Sequence, residues 1–476
     1  MHILFPTGRQ SEPALREALG GISAFTYAIV PTGEIASFLT PQKLESLLCE
    51  YPCTAAVVSG MCTADFSPVT EKTGVPVFRG TRHAADMRLC VPLILSGNLS
   101  PALPADNLLA DEKRKEAAEK LLRLEEEAAA DMVIRGVKFG GSSRIKVLCE
   151  IMDAHRTPAL REKAELALAS GADGIDLGFG FDAEPADVRR CLEELAGLPC
   201  PVSIDTLSPE LIRAGLFRAD LIFSLTKETL PSLAGAVQAA GCAAVCIPRG
   251  NADLAETVSA AKKTGLTRIF ADPLLQPPLS GMTASLAGFL PDYGAPKVMG
   301  CVNAVELTDA DSPGICAMLA ASAAETGCAA VLISEHSDKT AGAVSEMRRA
   351  VEQMQLCRGR PYPKDAGVDV FVIKEKRKRR EPALEYASAA DAPAASEENL
   401  SIDPCGNFRI GIADGMIVAV RRGAAVRGKT AEDVFAAILA EGGVSLLDHA
   451  AYLGRELMKA ELAIRFGRSY EQDGAF

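Results

Sequence analysis

The feature that most constrains the fold is a regular alternation of short apolar segments and helix-like stretches between residues 144 and 357. Parallel strands that follow one another in a chain need helical crossovers, and eight of them close into a barrel with a packed interior. We therefore predict an α/β protein whose central domain, residues 144–360, is a (β/α)8 TIM barrel, with a doubly wound open sheet as the alternative. The eight apolar segments are IKVLCEIMD, DGIDLG, PVSID, DLIFSL, AAVCIP, RIFAD, KVMGC and AAVLIS.

The chain on either side of this region has a different pattern, which predicts three further parts. Residues 1–140 alternate apolar runs such as HILF with helix-like stretches, which is typical of a small α/β domain, and the charged segment 111–132 predicts a long helix that closes it. Residues 361–400 include KEKRKRREP and a stretch rich in Ala, Pro and Ser, and they indicate a linker. Residues 401–476 predict a C-terminal α+β module with two strands, NFRIGIA and MIVAVRR, followed by helices.

Charge and cysteine usage argue against several classes of function. With 62 acidic and 50 basic residues and a net charge of -12, the chain is not expected to bind nucleic acid or an anionic membrane. The sequence has no run of about twenty apolar residues and no leader-like opening, so we expect a cytoplasmic protein without a membrane span. The 14 cysteines form no C-x-x-C pair, which favours buried free thiols over a structural zinc site.

Polar residues follow the apolar segments at the points where the strands should end. The carboxyl ends of barrel strands meet at one face, so these residues are expected to form a single ring there. Carboxylates outnumber cations in this ring, and because unpaired buried carboxylates are costly, we expect a ligand to satisfy them. The ring consists of Asp153, His155, Arg156, Asp176, Asp205, Lys227, Arg249, Asp272, Asn303, Glu306, Asp309, Asp311, Glu335, His336 and Lys339.

Two kinds of ligand fit a ring of carboxylates. A divalent metal such as Mg²⁺ takes oxygen ligands, but none of the best candidates are adjacent in sequence as a preformed cage. A flat ring with an amino group and a ring N–H on one edge can instead donate paired hydrogen bonds to carboxylates. Asp205 and Asp272 are the candidates for this role, although each could instead cap the N-terminus of a helix that follows it.

Several motifs carry a family resemblance. GADGIDLG, CPVSIDTLSPELIRAGL and FADPLLQPP, in this order, resemble the dihydropteroate synthases of the pterin-binding superfamily. GCVNAVELTDADSPG, ISEHSDKTAGAV and LDHAAYLGRELMKAELAIRFGRSYEQD are more closely similar to archaeal-type dihydropteroate synthase-related proteins, which occur with tetrahydromethanopterin metabolism. The resemblance covers nearly the whole chain and implies a transferase that binds a reduced pterin, with Asp205 and Asp272 on the pterin edge, Asp176 in support and a homodimer as the assembly.

The sequence also departs from the synthase pattern. Synthases usually place an Asn at the end of the fourth strand, where ADLIFSL offers Phe223 and Ser224, and an S-R-K segment after the seventh, where MGCVNAV places Asn303. The G-x-x-N form resembles corrinoid-dependent methyltransferases of the same superfamily. These departures put the usual synthase mechanism in question, because diphosphate departure needs compensating positive charge.

Three hypotheses follow. The first is condensation of an activated 6-hydroxymethyl-dihydropterin with an arylamine, in which cations of the ring and Mg²⁺ stabilise the departing diphosphate. The second is methyl transfer from a methylated pterin to a corrinoid protein, assisted by Asn303 and an acidic neighbour. The third is a non-catalytic pterin-binding scaffold. The residues predicted to be catalytic are Asp205, Asn303, Lys339 and His336, and those predicted to bind substrate are Asp176, Asp205, Asp272, Asn303, Arg249 and Arg156.

Overall fold

A computed structural model describes residues 1–249, 253–375, 392 and 402–474. The chain divides into two compact units, Met1–Val370 and Phe371–Phe476. Most of the predicted linker, residues 361–400, lies outside the described residues. Among the described helices, none is long and apolar enough to cross a membrane.

The first unit begins with a four-stranded parallel sheet in the order β2-β1-β3-β4. Side chains alternate across strand β1: Ile3 and Phe5 join the buried cluster on one face of the sheet, whereas Leu4 joins the cluster on the other. Both faces are therefore covered, as parallel sheets require. The strands are β1 (His2–Thr7), β2 (Thr26–Pro31), β3 (Ala55–Val58) and β4 (Val77–Arg79), and the helices are α1 (Glu12–Leu19), α2 (Pro41–Glu50), α3 (Ser67–Thr73), α4 (Val91–Ser96), α5 (Ala105–Leu108) and α6 (Ala110–Glu126), with 3-10 turns at Ala36–Phe38 and Ala84–Cys90.

The predicted charged helix is α6, and it ends earlier than the pattern suggested. The chain then forms an antiparallel hairpin of β5 (Met132–Ile134) and β6 (Val137–Phe139). Ile134 and Phe139 of this hairpin pack into the interior cluster of the central barrel, and the Phe139 ring meets Phe270 edge-on at 5.4 Å between centroids. The hairpin therefore forms the floor of the barrel.

Eight strands of the described chain close into a parallel barrel in the order β10-β11-β12-β13-β14-β7-β8-β9. This confirms the predicted (β/α)8 TIM barrel and excludes the open sheet. The strands are β7 (Lys146–Ile151), β8 (Gly174–Gly178), β9 (Val202–Asp205), β10 (Leu221–Leu225), β11 (Ala243–Cys246), β12 (Ile269–Ala271), β13 (Lys297–Gly300) and β14 (Cys328–Ser334). The helices are α7 (Leu160–Ala169), α8 (Pro185–Glu194), α9 (Pro209–Gly215), α10 (Leu230–Ala240), α11 (Leu254–Lys263), α12 (Met282–Leu286), α13 (Val302–Glu306), α14 (Ser312–Glu325) and α15 (Ala343–Leu356), with 3-10 turns at Ala154–Arg156, Ala287–Phe289 and Asp338–Thr340.

Successive side chains of each strand point alternately into the barrel interior and towards the layer of helices. On β7, Val147 and Cys149 belong to the cluster shared with the helices, whereas Leu148 belongs to the interior cluster with residues such as Phe270. Lys146 also lies inside, 2% exposed, with its ammonium paired to Glu125 at 2.9 Å. The lower part of the barrel interior is therefore filled by apolar side chains, which lie above the paired ammonium of Lys146.

The second unit contains the C-terminal module, an antiparallel sheet of β15 (Arg409–Ala413), β16 (Met416–Arg421) and β17 (Ala424–Gly428) followed by α16 (Ala431–Ala440) and α17 (Leu447–Phe466). Ile417, Leu453 and Leu457 are fully buried in its core. The predicted α+β class is confirmed. Strand β17 was not predicted, because its exposed and intermediate residues carry no apolar alternation.

Candidate functional site

Three carboxylates converge in the upper part of the barrel interior. Glu150 on β7 is paired in register with Asp176 on β8, and the end of β8 is paired with Asp205, the last residue of β9. One carboxylate oxygen from each residue lies within 4.8 Å of the others. Three neighbouring strands thus bring three acids to one point, which we call the carboxylate cluster.

Asp176 is the most enclosed member of the cluster, with 0% exposure. Its Oδ1 accepts a hydrogen bond from the Ser203 hydroxyl on the neighbouring strand. Its Oδ2 is buried and has no hydrogen-bond partner among the described residues. Burial, together with the Asp205 and Glu150 carboxylates, raises the pKa of Asp176 well above its ordinary value.

Asp205 is held by a hydroxyl from the next strand. Ser224 Oγ donates to Asp205 Oδ1 at 2.5 Å. Ser224 has a φ of 62°, which is rare outside glycine, and the register between β10 and β11 shifts between Ile222 and Leu225. This local irregularity allows a side chain that strict alternation would turn outwards to reach the cluster. Burial raises the pKa of Asp205, while the Ser224 bond lowers it.

Glu150 is the member that the sequence pattern did not reveal. Burial, together with the Asp205 and Glu306 carboxylates, raises the pKa of Glu150 from 4.5 to about 7. The residue lies within the apolar run IKVLCEIMD, two positions after the interior residue Leu148. This even spacing on a strand is the signal that could have identified it.

Asp272 lies immediately after β12 and is 6% exposed. The backbone N–H of Leu274 donates to its Oδ1 at 2.8 Å, and no described residue donates to its Oδ2. Burial raises the pKa of Asp272 to about 7, with a smaller contribution from the negative charge of Asp205. One carboxylate oxygen therefore remains available beside the cluster.

No cation of the described chain compensates these four acids. The groups that shift their pKa values are other carboxylates, the hydroxyls of Ser203 and Ser224, and the backbone N–H of Leu274. Buried carboxylates without partners are unfavourable, so the site can either hold protons or bind a ligand that supplies positive charge or N–H donors.

Comparison with known proteins places the chain in a family. It is 30% identical to "Uncharacterized protein MJ0107" of Methanocaldococcus jannaschii. The alignment is 518 residues long and covers 99% of this chain and 98% of that protein. The chain belongs to the same family as this archaeal protein. The family model PterinBD-DUF4346 matches residues 402–473, which form the C-terminal module. A segment of 49 residues is 47% identical to a Ycf91-like protein of Nostoc sp. and covers 39% of that protein.

Solved structures with a similar fold include dihydropteroate synthases. The Thermus thermophilus enzyme in complex with 6HMPPP is 22% identical, with a TM-score of 0.36, and the match covers 44% of this chain and 92% of that one. The Burkholderia cenocepacia enzyme complexed with 7,8-dihydropteroate is 22% identical, with a TM-score of 0.39, and the match covers 49% of this chain and 98% of that one.

Two of the predicted cations, Arg156 and Lys339, lie around the mouth and have other described partners. The Arg156 guanidinium pairs with Asp182. Lys339 donates to Asp309 Oδ1 at 3.0 Å and to the carbonyl of Thr308 at 3.1 Å. Neither of these contacts involves the carboxylate cluster or Asp272.

His336, Arg249 and Asn303 are exposed. The backbone N–H of His336 donates to Glu306 Oε1 at 3.0 Å, which fixes the loop after β14. Arg249 is exposed three residues after β11, and Asn303 is exposed in the first turn of α13, three residues after β13. No described hydrogen bond involves the Asn303 side-chain amide. The structure therefore brings Asp176 and Asp205 together with Glu150, whereas His336, Arg249 and Asn303 lie outside this cluster, in the segments that follow strands β14, β11 and β13.

Proposed function

We propose that this protein is a pterin-binding transferase that condenses an activated 6-hydroxymethyl-dihydropterin with an arylamine, in folate- or tetrahydromethanopterin-type biosynthesis. The observation that carries the proposal is the group of buried carboxylates with free acceptor oxygens and no described cation partner. The sequence motifs that resemble dihydropteroate synthases, together with the match of residues 402–473 to the family model PterinBD-DUF4346, support the choice of a pterin over other rings with N–H donors.

The pterin edge matches the free acceptors of the site. A reduced pterin presents a 2-amino group and the neighbouring ring N–H, which donate two parallel hydrogen bonds. Asp272 and Asp205 each keep one oxygen without a described donor, and ionised carboxylates accept such paired bonds strongly. The N–H donors of the ring would stabilise the ionised form of a carboxyl group whose pKa is raised by burial.

The reaction itself is a substitution at carbon. The arylamine nitrogen attacks the methylene carbon attached to C6 of the pterin, the C–N bond forms, the C–O bond breaks, and diphosphate departs while the nitrogen loses a proton. No covalent intermediate with the protein is needed, so the chain has to position both substrates and neutralise the leaving group. Arg156, Arg249, His336 and Lys339 are the cations that we assign to diphosphate, since exposed ion pairs such as Lys339–Asp309 are weak and can be exchanged.

Methyl transfer from a methylated pterin to a corrinoid protein is the second candidate. The observation that favours it is the position of Asn303, whose exposed amide follows β13 and has no described hydrogen bond. An amide there can hold N5 of the pterin as its methyl group leaves. A corrinoid partner protein would accept the methyl group.

Calorimetric titration with a reduced pterin tests the binding part of the proposal. We expect Asp205→Asn and Asp272→Asn each to weaken binding by roughly tenfold or more, because each removes a charge-assisted acceptor. Asp309→Asn, which changes an exposed acid of the mouth, is the matched control and should leave the affinity unchanged. Unaltered affinity in both test variants would refute the pterin site.

The two reactions are separated by their products. Condensation predicts arylamine-dependent release of diphosphate, which Asp205→Ala should reduce by orders of magnitude. Methyl transfer predicts no diphosphate release, but methylation of an added cob(I)amide protein that is lost in Asn303→Ala. Tight pterin binding without either product would leave a scaffold function.

A further inference from the structure

The carboxylate cluster has the composition of a metal site as well as that of a pterin pocket. Glu150, Asp176 and Asp205 contribute one oxygen each within a mutual distance of 4.8 Å. Two oxygens that bind the same Mg²⁺ at about 2.1 Å lie about 3 to 4 Å apart, which falls within this limit. Carboxylate oxygens suit hard cations, and no thiol or imidazole joins the cluster to favour a softer metal.

A second observation points to a ligand at this position. Asp176 is fully buried, and while its Oδ1 receives the Ser203 hydroxyl, its Oδ2 has no donor among the described residues. A buried acceptor left unsatisfied in this way is unfavourable. The described neighbours add negative charge and supply no cation, so no described side chain satisfies Oδ2 of Asp176.

We propose that Glu150, Asp176 and Asp205 bind one hard divalent cation, Mg²⁺ or Mn²⁺, inside the mouth of the barrel. Three protein oxygens on neighbouring strands leave the remaining coordination positions of an octahedral ion for water or a bound substrate. Ser224 donates to Oδ1 of Asp205, and Asp272 is not one of the three residues of the cluster.

The metal site does not depend on the pterin proposal. Glu150 belongs to the metal site alone and Asp272 to the pterin edge alone, whereas Asp205 is shared. The metal can therefore be tested without any pterin present, and loss of one function does not imply loss of the other.

The experiment is a titration of the chelator-treated full-length protein with Mn²⁺, in which free Mn²⁺ is measured by electron paramagnetic resonance and Mg²⁺ is added as a competitor. We expect one Mn²⁺ per chain, displaced by Mg²⁺. Glu150→Gln should weaken binding by roughly tenfold or more, since it removes one charged ligand of three. Asp176→Asn provides an independent test if the first variant does not fold.

Asp309→Asn is the matched control, because it removes an equally negative side chain that is exposed at the mouth and outside the cluster. Its affinity for Mn²⁺ should stay within about twofold of the wild-type value. Absence of a stoichiometric Mn²⁺ site in the wild-type protein, or equal affinity in the folded Glu150→Gln and Asp176→Asn variants, would overturn the proposal.

Discussion

Replacing Glu150 by Gln should stabilise the protein above neutral pH and change its stability much less near pH 5. Burial and the Asp205 and Glu306 carboxylates raise the pKa of Glu150 to about 7, from an ordinary value of 4.5. The unfolded chain ionises this group near pH 4.5, so between that pH and about 7 the folded protein binds more protons and becomes less stable as the pH rises. Each pKa unit corresponds to about 1.4 kcal/mol, which gives a cost of about 3 kcal/mol above pH 7.

The assay is urea unfolding of the wild-type and Glu150→Gln proteins, followed by circular dichroism between about pH 5 and pH 8 in the presence of a chelator. The chelator is needed because a bound divalent cation would stabilise the ionised carboxylates and reverse the sign of the effect. The variant should differ from the wild type by less than about 1 kcal/mol near pH 5 and exceed it by up to about 3 kcal/mol at the alkaline end. Glu193→Gln, on the exposed surface of α8, is the control that should show no such dependence on pH.

A difference between the two proteins that stays constant over this range would refute the reasoning. It would mean that Glu150 is ionised at both ends of the range, as an exposed carboxylate is, and that burial among other acids does not hold its proton. A variant that is less stable than the wild type at every pH would show instead that the charged group is favourably paired.

Further predictions concern the residues around the cluster. Phe139→Ala should destabilise the barrel by about 3–5 kcal/mol in urea unfolding, because it removes a fully buried ring from the floor, whereas Val133→Ala in the same hairpin changes an exposed side chain and should cost less than about 0.5 kcal/mol. Ser224→Ala should weaken binding of a reduced pterin by roughly threefold to tenfold, since it removes the donor that orients Asp205. Ser224→Asn tolerates a positive φ and keeps an N–H donor, so calorimetry should show an affinity close to that of the wild type.

The local sequence pattern was sufficient to predict the class of fold. The alternation of apolar and helix-like segments predicted the strands of the barrel, because period and length are local properties of a chain. The rule that barrel sites lie at the carboxyl ends of strands then identified Asp176, Asp205 and Asp272. The structure shows Asp176 and Asp272 as buried and Asp205 as partly buried, and all three have raised pKa values.

The same pattern could not place the hairpin after α6. Residues 132–139 were predicted to lie with the N-terminal domain, because nothing in their sequence indicates what covers them. A closed barrel leaves its lower end open to solvent, and Ile134 and Phe139 fill that end against Phe270. The boundary between the N-terminal domain and the barrel was therefore decided by the apolar surface that the lower end of the barrel offers for burial.

What the sequence determined by itself was the order of the elements and the residue types at the strand ends, whereas tertiary structure decided which of these residues form a site. Glu150 lies inside an apolar run, and it joins the cluster only because β7 and β8 pair in a register that sets it beside Asp176. Ser224 should face outwards by alternation, yet an irregular register and a positive φ turn it towards Asp205. Register between strands is a long-range property set by closure of the barrel, so no local pattern contains it.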